Sequence, residues 1–272
     1  MINTNDHLKR LEDIIGSSGS MLVAFSGGTD STLVTCVARR VLGKDKLLAV
    51  TAGSRLNPQG EIEAARSLAA HMDVTHLVIS APDVTDPIFS VNDKLRCYYC
   101  KKLIFTPLLN LAGQHGLAVV ADGSNTDDEK DYRPGAAAAA ELGIRSPLRE
   151  AGLSKMMIRK ISRSLDLTTW DKPAQACLAS RVPYGEPVTE EKLVRIEQAE
   201  TILHRAGFDQ VRVRHHDRLA RIELLEDDVS RLGGDYHLRR EIGRAFRGLG
   251  FSYVSLDLLG YRTGSLNEVL EE

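Results

Sequence analysis

A short glycine-rich segment is the part of the sequence best suited to bind an anion. It directly follows the apolar run 21–25 and reads Ser26-Gly27-Gly28-Thr29-Asp30-Ser31. Glycines let the backbone turn tightly and approach an anion, while hydroxyl and backbone N–H groups donate hydrogen bonds to it. The helix predicted after the segment adds the partial positive charge of its N-terminus. The pattern predicts a phosphate-binding loop that has neither the lysine of an ordinary P-loop nor the G-x-G-x-x-G pattern of a dinucleotide site.

A second group of polar residues follows the fourth predicted strand. Residues 122–135 read DGSNTDDEKDYRPG and combine several carboxylates with Arg133. Ligands of open α/β sheets bind beyond the carboxyl ends of the strands, where this segment emerges. Asp127, Asp128 and Asp131 could therefore hold a cation, and Arg133 could contact a phosphate or a carboxylate. The alternative is a solvated acidic loop without a ligand.

Three of the four cysteines form a pattern that suggests soft-metal or redox chemistry. Cys97 and Cys100 make a Cys-x-x-Cys pair at the start of a predicted helix, and Cys177 lies far downstream. Such a set can close a metal site, for which zinc or an iron–sulfur cluster is favoured over Mg²⁺. Cys36 lies on an apolar helix face, where a small buried hydrophobe is expected. Three ligands predict a cluster with one open iron; a redox dithiol, a zinc site completed by histidine and a purely structural role are the alternatives.

The elements that position these residues alternate between strand and helix in the first half of the chain. Short apolar runs predict strands, and a 3.6-residue periodicity predicts helices. The predicted strands are 21–25, 47–51, 75–80, 117–121 and 144–148. The predicted helices are 5–15, 33–42, 58–71 with Pro58 in the first turn, 97–115 interrupted or kinked at Pro107, and the alanine-rich 136–140. This alternation predicts an α/β fold with a parallel sheet covered by helices on both faces.

The pattern changes after residue 165 and indicates a second, smaller α/β domain. Residues 166–187 contain three prolines and little periodicity, which is typical of a linker or an ordered functional loop. The elements predicted after them are a helix 189–206 with Thr189 as N-cap, a hairpin 211–214/219–225 about His216 and Asp217, a helix 228–249 interrupted at Gly233-Gly234, and a strand 252–258. We expect one domain at 1–166, a linker at 167–188 that carries Cys177, and a second domain at 189–272.

Two arginines on the predicted hairpin are candidate anion-binding residues. Arg212 and Arg214 are two residues apart on a strand, so they face the same side. A guanidinium group suits bidentate contact with a phosphate. The alternative is an exposed strand edge with salt bridges. His215 and His216 are expected to be polar turn residues.

The composition fits a globular chain and excludes several classes of protein. The 272 residues are 43% hydrophobic and 26% charged, which excludes a disordered chain, a coiled coil and a collagen. With 35 basic and 37 acidic residues the net charge is −2, so a strongly basic nucleic-acid binder is not expected. No run reaches the roughly 18 apolar residues of a membrane helix, and residues 1–16 lack the apolar core of a signal peptide. We expect a cytoplasmic protein without a membrane or nucleic-acid partner.

The S-G-G-x-D-S segment resembles the phosphate loop of the PP-loop ATP pyrophosphatases. The resemblance implies a nucleotide α-hydrolase fold that holds ATP, releases pyrophosphate and leaves AMP on a substrate oxygen. It also implies that Asp30 helps to hold Mg²⁺, an ion that prefers carboxylate, phosphate and water ligands. The residues that we expect at the ATP site are Ser26, Gly27, Gly28, Asp30, Ser31, Asp128 and Arg133.

The order of four motifs resembles one branch of these enzymes, the LarE family of ATP-dependent sulfur transferases. The motifs are SGGTDS, RCYYCKK, DGSN-x-DD-x-x-DYRPG and WDKPA-x-ACLASRVPYG, and the resemblance runs through nearly the whole chain. It implies adenylation of the carboxylates of a pyridinium-3,5-biscarboxylic acid mononucleotide and replacement of oxygen by sulfur, for nickel-pincer cofactor biosynthesis. It also implies a homo-oligomer and a sulfide donor that the sequence does not specify.

The cysteine pattern departs from the best-known type of this family. That type has a single cysteine, matching the region of Cys177, which donates its own sulfur; Cys97 and Cys100 are additional here. The chain is similar to the family's cysteine-rich type, in which three cysteines hold a [4Fe–4S] cluster whose open iron carries a transferable sulfide. The resemblance thus implies ATP, Mg²⁺ and a [4Fe–4S] cluster as cofactors. Sacrificial donation of sulfur from Cys177 is the alternative.

The substrate of this family carries a phosphate and carboxylates, so cationic anchors are expected. Arg181, Arg212 and Arg214 are the candidates, and Arg181 lies four residues after Cys177. Glu200 resembles an acidic position of the family, with a solvated helix face as the alternative. The rival functions are a PP-loop tRNA thiolase, an ammonia-using ligase and a non-catalytic nucleotide sensor. The near-neutral charge opposes the thiolase, and the cysteines oppose the other two.

Overall fold

The chain divides into two compact units, and its path passes between them more than once. The computed structural model describes residues 4–54, 56–58, 60–82, 84–130, 134–173, 176–262 and 264–268. The first unit comprises Met1–Pro82 and Leu95–Gln175, and the second comprises Asp83–Lys94 and Ala176–Glu272. Within the described ranges, no helix is long and apolar enough to cross a membrane.

A four-stranded parallel sheet forms the centre of the first unit. Its strands are β1 (Met21–Ala24), β2 (Leu47–Gly53), β3 (Thr75–Ser80) and β4 (Val119–Ala121), in the spatial order β3-β2-β1-β4. β1 pairs with β2 on one side and with β4 on the other. The strand order therefore reverses between β1 and β4. Ligands of open α/β sheets bind at such a reversal, beyond the carboxyl ends of the strands.

Helices cover both faces of this sheet, as the alternating pattern predicted. Up to residue 164 they are α1 (Thr4–Ser17), α2 (Thr29–Leu42), α3 (Glu61–His71), α4 (Pro87–Val91), α5 (Arg96–Gln114), α6 (Pro134–Glu141), α7 (Pro147–Glu150) and α8 (Lys155–Ser164), of which α4 belongs to the second unit. Successive residues of a strand point to opposite faces. Met21 and Val23 of β1 therefore pack in a core with α1, α2 and α8, whereas Leu22 packs in a core with α5. The predicted α/β fold class is confirmed.

Several predicted bounds of strands and helices are wrong because of the prolines and glycines near them. The fifth strand, predicted at 144–148, is a single bridge between Ala121 and Arg145, after which Pro147 begins α7. Proline lacks the N–H that a continued ladder would need, but it suits the first turn of a helix. Pro58 precedes α3, because Gly60 with φ +86° is the N-cap. The sequence did not predict α4 or α8.

Proline does not interrupt α5. The helix is continuous from Arg96 to Gln114 with Pro107 inside it. An internal proline removes one backbone hydrogen bond and costs about 3 kcal/mol or more. Phe105 and Leu108 are fully buried against the sheet on either side of the proline. Burial of each such side chain contributes roughly 1.5–3 kcal/mol, so the packing outweighs the lost hydrogen bond.

The second unit is a smaller α/β structure with its own core. Its later elements are α9 (Glu190–Arg205), β5 (Val211–His216), β6 (Leu219–Leu224), α10 (Glu226–Gly234), α11 (Tyr236–Gly248) and β7 (Tyr253–Leu256). β5 and β6 form the predicted antiparallel hairpin, and β7 adds in parallel to β6. Thr189 caps α9 as predicted, accepting a hydrogen bond from the Lys192 N–H at 3.3 Å. The predicted interruption at Gly233-Gly234 separates α10 from α11.

Residues that precede and follow the cysteine-bearing segments meet in this second unit. Asn92 is fully buried in a left-handed conformation, and its side-chain amide donates to the carbonyl oxygens of Pro183 and Glu186 at 2.8 and 2.7 Å. The Val188 N–H donates to the Phe89 carbonyl at 2.9 Å. The proline-rich segment predicted as a linker or ordered loop is therefore an ordered part of the unit from residue 176 onward.

His215 is a core residue and not the polar turn residue that was predicted. It lies on β5, is 2% exposed, and its ring packs on Phe251 with centroids 5.4 Å apart. The turn falls one residue later than expected, at Asp217 with φ +50°. Neither ring nitrogen of His215 has a hydrogen-bond partner among the described residues. Burial lowers the pKa of His215 below its usual 6.5.

The protein should consequently lose stability in mild acid. Above pH 6.5 the imidazole is neutral in both the folded and unfolded chain and contributes nothing to pH dependence. Below it the unfolded chain takes up the proton first, so the free energy of unfolding falls as the pH falls. We expect urea denaturation to show a smaller free energy at about pH 5.5 than at about pH 7.5, and this difference to shrink in His215→Leu. His237→Leu, which removes an exposed imidazole, is the control; identical pH dependence in His215→Leu and wild type would contradict the assignment.

Candidate active site

The phosphate loop leads from β1 into α2 and has the backbone shape that its glycines predict. Gly27 has φ +68°, and a Cβ added to it would lie 3.2 Å from the Ala65 Cα. Gly28 is the N-cap of α2 and has no side chain with which to satisfy the first N–H groups of the helix. The Ser26 N–H donates to Ser31 Oγ at 3.2 Å, and the two hydroxyl oxygens are 3.1 Å apart. The loop is thus closed around a helix N-terminus, as an anion site requires.

Asp30 is the partly buried charge of this loop. Its Oδ2 accepts a hydrogen bond from Lys155 Nζ at 2.6 Å. Its Oδ1 is buried and has no hydrogen-bond partner among the residues that the structure describes. Burial raises the pKa of Asp30, and the Lys155 ammonium opposes that rise. Because a buried oxygen without a partner is costly, Oδ1 marks a place for a cation or a donor, and the carboxylate suits Mg²⁺.

The loop after β4 packs directly against the phosphate loop. A Cβ added to Gly123 would lie 2.9 Å from the Ser31 nitrogen and 3.2 Å from the Asp30 Cβ, so there is no room for a side chain. Asp128 Oδ2 accepts a hydrogen bond from the Asn125 N–H at 2.9 Å. The Asp128 charge also contributes to the raised pKa of Asp30. Two predicted site residues, Asp30 and Asp128, are therefore near neighbours.

Lys155 belongs to this site although the sequence did not predict it. It is the first residue of α8, and its N–H donates to Asp127 Oδ2 at 2.8 Å. Asp127 therefore fixes the backbone of Lys155 while Asp30 holds its ammonium. A separation of 125 residues between Lys155 and Asp30 conceals this pairing. The signal that could have revealed α8 is Ser154, a helix N-cap before a basic segment with buried apolar positions.

The remaining predicted residues of the acidic loop cannot be placed. Asp131 and Arg133 lie outside the described residues. Their roles stay predictions.

Cys97 and Cys100 lie one turn apart at the start of α5, in the first unit. The Cys97 side chain is exposed and that of Cys100 is half-buried. A Cβ on Gly135 would lie 2.9 Å from Lys101 Cγ and 3.3 Å from the Cys97 carbonyl oxygen, so α6 approaches this turn closely. Cys36 packs against the core of the first unit as predicted, and burial raises the pKa of its thiol.

Cys177 lies in the second unit, where Arg181 holds its backbone. The cysteine is exposed and precedes a short 3₁₀ helix, Leu178–Arg181. The Arg181 guanidinium is 1% exposed and makes a bidentate ion pair with Glu200, each contact 2.9 Å long. Its Nη1 donates to the carbonyl oxygens of Ala176 and Cys177 at 2.7 and 3.1 Å. Within the described part of each unit, no three His, Cys, Asp or Glu side chains are grouped as a metal site.

Arg214 is part of a buried polar network on β5. It is 6% exposed and makes a bidentate ion pair with Glu223 at 2.9 and 2.7 Å. It also donates to Ser265 Oγ and to the Ser180 carbonyl oxygen, both at 2.7 Å. Glu223 is fully buried. The alternative of an exposed edge with salt bridges is therefore wrong for this strand.

Arg212 brings a further positive charge into the same region. It is 7% exposed, and its guanidinium carbon lies 5.5 Å from the ring centroid of Tyr261. Burial and the neighbouring Arg181 charge lower the pKa of Arg212, while the Glu200 charge opposes the shift. A bound anion would stabilise the charged guanidinium. Arg181, Arg212 and Arg214 with Glu200 and Glu223 are called the arginine cluster below; it contains three cations and two carboxylates.

Glu200 is buried, not solvated. It is 7% exposed on α9, and Oε1 accepts both the Arg181 contact and a hydrogen bond from the Val213 N–H at 2.9 Å. The carboxylate therefore joins the 3₁₀ helix after Cys177 to β5. The alternative of a solvated helix face is wrong.

A phosphate loop with a glycine-rich turn, a partly buried aspartate and a helix N-terminus, at the strand reversal of a parallel sheet, defines a PP-loop ATP-dependent enzyme. In agreement, residues 4–96 match the NAD synthase family. A Lactiplantibacillus plantarum protein described as pyridinium-3,5-bisthiocarboxylic acid mononucleotide synthase is 40% identical over 248 residues, which cover 91% of this chain and 89% of that protein. An uncharacterized protein from Synechocystis is 44% identical over 263 residues, 97% of each chain.

The chain belongs to the family of the pyridinium-3,5-bisthiocarboxylic acid mononucleotide synthases, the LarE family. The resemblance drawn from the four motifs is thereby confirmed. More distant similarity extends to an argininosuccinate synthase of Natronomonas pharaonis, 24% identical over 80% of this chain and 60% of that protein.

Loss of Glu200 should strongly destabilise the fold. Removing one partner of a buried ion pair leaves the other charge uncompensated and costs about 3–5 kcal/mol. We expect Glu200→Ala to lower the free energy of unfolding by about this amount in urea denaturation. Asp13→Ala, which removes a pair with Lys9 whose side chains are 64% and 70% exposed, is the control and should change little. Equal, small effects of both substitutions would contradict a structural role for the Arg181–Glu200 pair.

Proposed function

We propose that the protein adenylates the carboxylates of pyridinium-3,5-biscarboxylic acid mononucleotide and replaces a carboxylate oxygen with sulfur. The observation that carries this proposal is the partly buried Asp30 carboxylate of the phosphate loop, whose buried Oδ1 has no hydrogen-bond partner among the described residues. The similarity to the Lactiplantibacillus plantarum synthase supports the choice of substrate. The second unit is proposed to bind that substrate and to form a homo-oligomer.

Adenylation is needed because a carboxylate is a poor electrophile, whose leaving group would be oxide. A carboxylate oxygen attacks the α-phosphorus of ATP, the bond to the bridging oxygen breaks, and pyrophosphate leaves. The N–H groups of the phosphate loop and the N-terminus of α2 lie where they would stabilise the departing charge. Asp30 and Asp128 would hold Mg²⁺, which supplies charge neutralisation at the phosphates. A sulfide nucleophile then attacks the acyl carbon, and AMP leaves to give the thiocarboxylate.

The arginine cluster is proposed as the anchor of the mononucleotide substrate. Its three guanidinium groups are buried, and burial strengthens their electrostatic contact with a phosphate or carboxylate. Glu200 and Glu223 occupy the forks of Arg181 and Arg214. Arg212 Nη1 donates to the Val211 carbonyl oxygen at 2.7 Å, and its guanidinium group lies beside the Tyr261 ring. All three arginines are proposed to line the substrate site.

Cys97, Cys100 and Cys177 are proposed to hold a [4Fe–4S] cluster. Thiolates are the ligands that such clusters take, and all three side chains are at least partly accessible. Bound there, the cluster would supply a transferable sulfide at its fourth iron. In the alternative, Cys177 gives up its own sulfur and becomes dehydroalanine, so each protein chain acts once.

The reaction class is tested by pyrophosphate release. We expect ATP-dependent release that requires the pyridinium dicarboxylate mononucleotide and is not supported by tRNA or by ammonia. Stimulation by tRNA would indicate a thiolase, stimulation by ammonia would indicate an amide-forming ligase, and ATP binding without release would indicate a sensor.

The sulfur source is tested on anaerobically purified protein. We expect visible iron–sulfur absorbance and bound iron that Cys97→Ala removes, with Cys36→Ala as the matched control that keeps both. Intact-mass measurement after turnover should show Cys177 unchanged. Colourless, active protein in which Cys177 has lost its sulfur would establish the sacrificial alternative.

Lys155 should set the pH at which the loop works. Its ammonium opposes the burial that raises the pKa of Asp30, so Lys155→Met should raise that pKa further. Protonated Asp30 cannot hold Mg²⁺, so the acidic limb of pyrophosphate release should move to higher pH, with recovery of the rate at alkaline pH. Lys160→Met, an exposed position on the same helix, should keep the wild-type profile. A proportional loss of rate at every pH would contradict this role.

A further inference from the structure

A second lysine reaches the phosphate loop from a distant part of the chain. Lys172 Nζ donates to the Gly27 carbonyl oxygen at 3.3 Å and to Glu61 Oε2 at 2.8 Å. Lys172 lies 145 residues after Gly27, so the loop motif gives no sign of it. Nothing in the adenylation chemistry described above uses this residue.

The backbone that carries Lys172 is anchored to the start of α2. Thr29 Oγ1 donates to the Thr169 carbonyl oxygen at 2.8 Å, and Thr29 is buried. The Lys172 N–H closes a turn on that same Thr169 carbonyl at 3.2 Å. Arg163 of α8 stacks over the Trp170 ring at 4.8 Å. The lysine is therefore held at the loop by a fixed turn, and only its flexible side chain has to move to change partner.

The charge of the loop suggests a role for Lys172 in binding an anion. The S-G-G-x-D-S segment contains an aspartate and no cation, yet its proposed ligand carries several negative charges. Lys155 is engaged by Asp30. Lys172 and Glu61 are each 22% exposed, so the pair is accessible enough to open. A phosphate oxygen beside the Gly27 N–H would attract Lys172 more strongly than the neutral carbonyl does.

We infer that Lys172 is a phosphate-binding residue, which transfers its Nζ from Gly27 and Glu61 to a phosphate oxygen when ATP or pyrophosphate occupies the loop. This inference rests on the proposed function, because it assumes that the loop binds a polyphosphate. Glu61 then acts as a positioning residue, which holds the ammonium beside the loop until the anion arrives. The lysine that an ordinary P-loop has within its motif is supplied here from residue 172.

The opposite role, a purely structural strut between α3 and the turn, makes a different prediction for Glu61. If the pair is only a strut, removal of either partner weakens pyrophosphate binding to the same extent. If Lys172 binds phosphate, the affinity falls when Lys172 loses its charge, but not when Glu61→Gln releases that charge.

The test is equilibrium binding of inorganic pyrophosphate with Mg²⁺ to the full chain, measured by calorimetry. We expect Lys172→Met to weaken binding by at least about tenfold, the loss of one hydrogen bond to a charged group. Lys172→Arg should restore part of the affinity, and Glu61→Gln should keep or improve it. Lys44→Met, which removes a remote ion pair with Asp73, is the matched control and should bind as wild type does.

The outcomes separate the inference from the function on which it rests. Wild-type protein that binds neither pyrophosphate nor a non-hydrolysable ATP analogue overturns the proposed function and the inference together. Wild-type binding with an unchanged affinity in Lys172→Met overturns the inference alone. Equal weakening in Lys172→Met and Glu61→Gln, with equal losses of thermal stability, identifies a strut and also overturns it.

Discussion

The partial burial of the Asp30 carboxylate beyond the carboxyl end of β1 is the constraint around which the first unit is arranged. Burial raises the pKa of Asp30, and a nearby cation opposes that rise by favouring the ionised carboxylate. Lys155 supplies the cation through α8, and Asp127 fixes the start of that helix. Gly123 lets the neighbouring loop come within contact of Asp30, because a side chain there would strike the Ser31 nitrogen. These contacts together keep a charged carboxylate next to the phosphate loop.

The second unit also holds charged side chains away from water, but it compensates them in a different way. Two of its buried arginines, Arg181 and Arg214, are neutralised by bidentate glutamates, which satisfy the fork geometry of the guanidinium group. A buried ion pair contributes little net stability compared with apolar packing, because both charges lose their hydration. The pairs therefore add little to folding stability. They hold positive charge inside the second unit, in a cluster with three guanidinium groups and two carboxylates, which we propose as the anchor of the anionic substrate.

The sequence predicted features formed by neighbouring residues, such as strands and the phosphate loop. It did not predict contacts between residues far apart in the chain. The strands β1 to β4 follow from short apolar runs, and the phosphate loop follows from glycines between a strand and a helix. Lys155 and Lys172 reach the loop from 125 and 145 residues away, and no local pattern announces such contacts. The arginines of β5 were placed correctly on one face, but strand alternation cannot show that a second layer buries that face as well. The predicted interruption of α5 at Pro107 is wrong because helix propensity does not include the burial of Phe105 and Leu108, which holds the helix together.

The contrast between the two units suggests how one chain can manage a reaction that begins and ends with anions. In the arginine cluster, Arg181 and Arg214 each make two contacts with a carboxylate, so these two cations have a fixed geometry. At the phosphate loop the two lysines have partners that are only partly buried, and one of these partners is a neutral carbonyl oxygen. Exchange of a hydrogen bond from that carbonyl to a charged oxygen is favourable, and the reverse exchange restores the starting state when the anion leaves. In the proposed reaction, fixed cations suit a mononucleotide substrate that stays bound through two chemical steps, whereas exchangeable cations suit pyrophosphate, which has to leave after it forms.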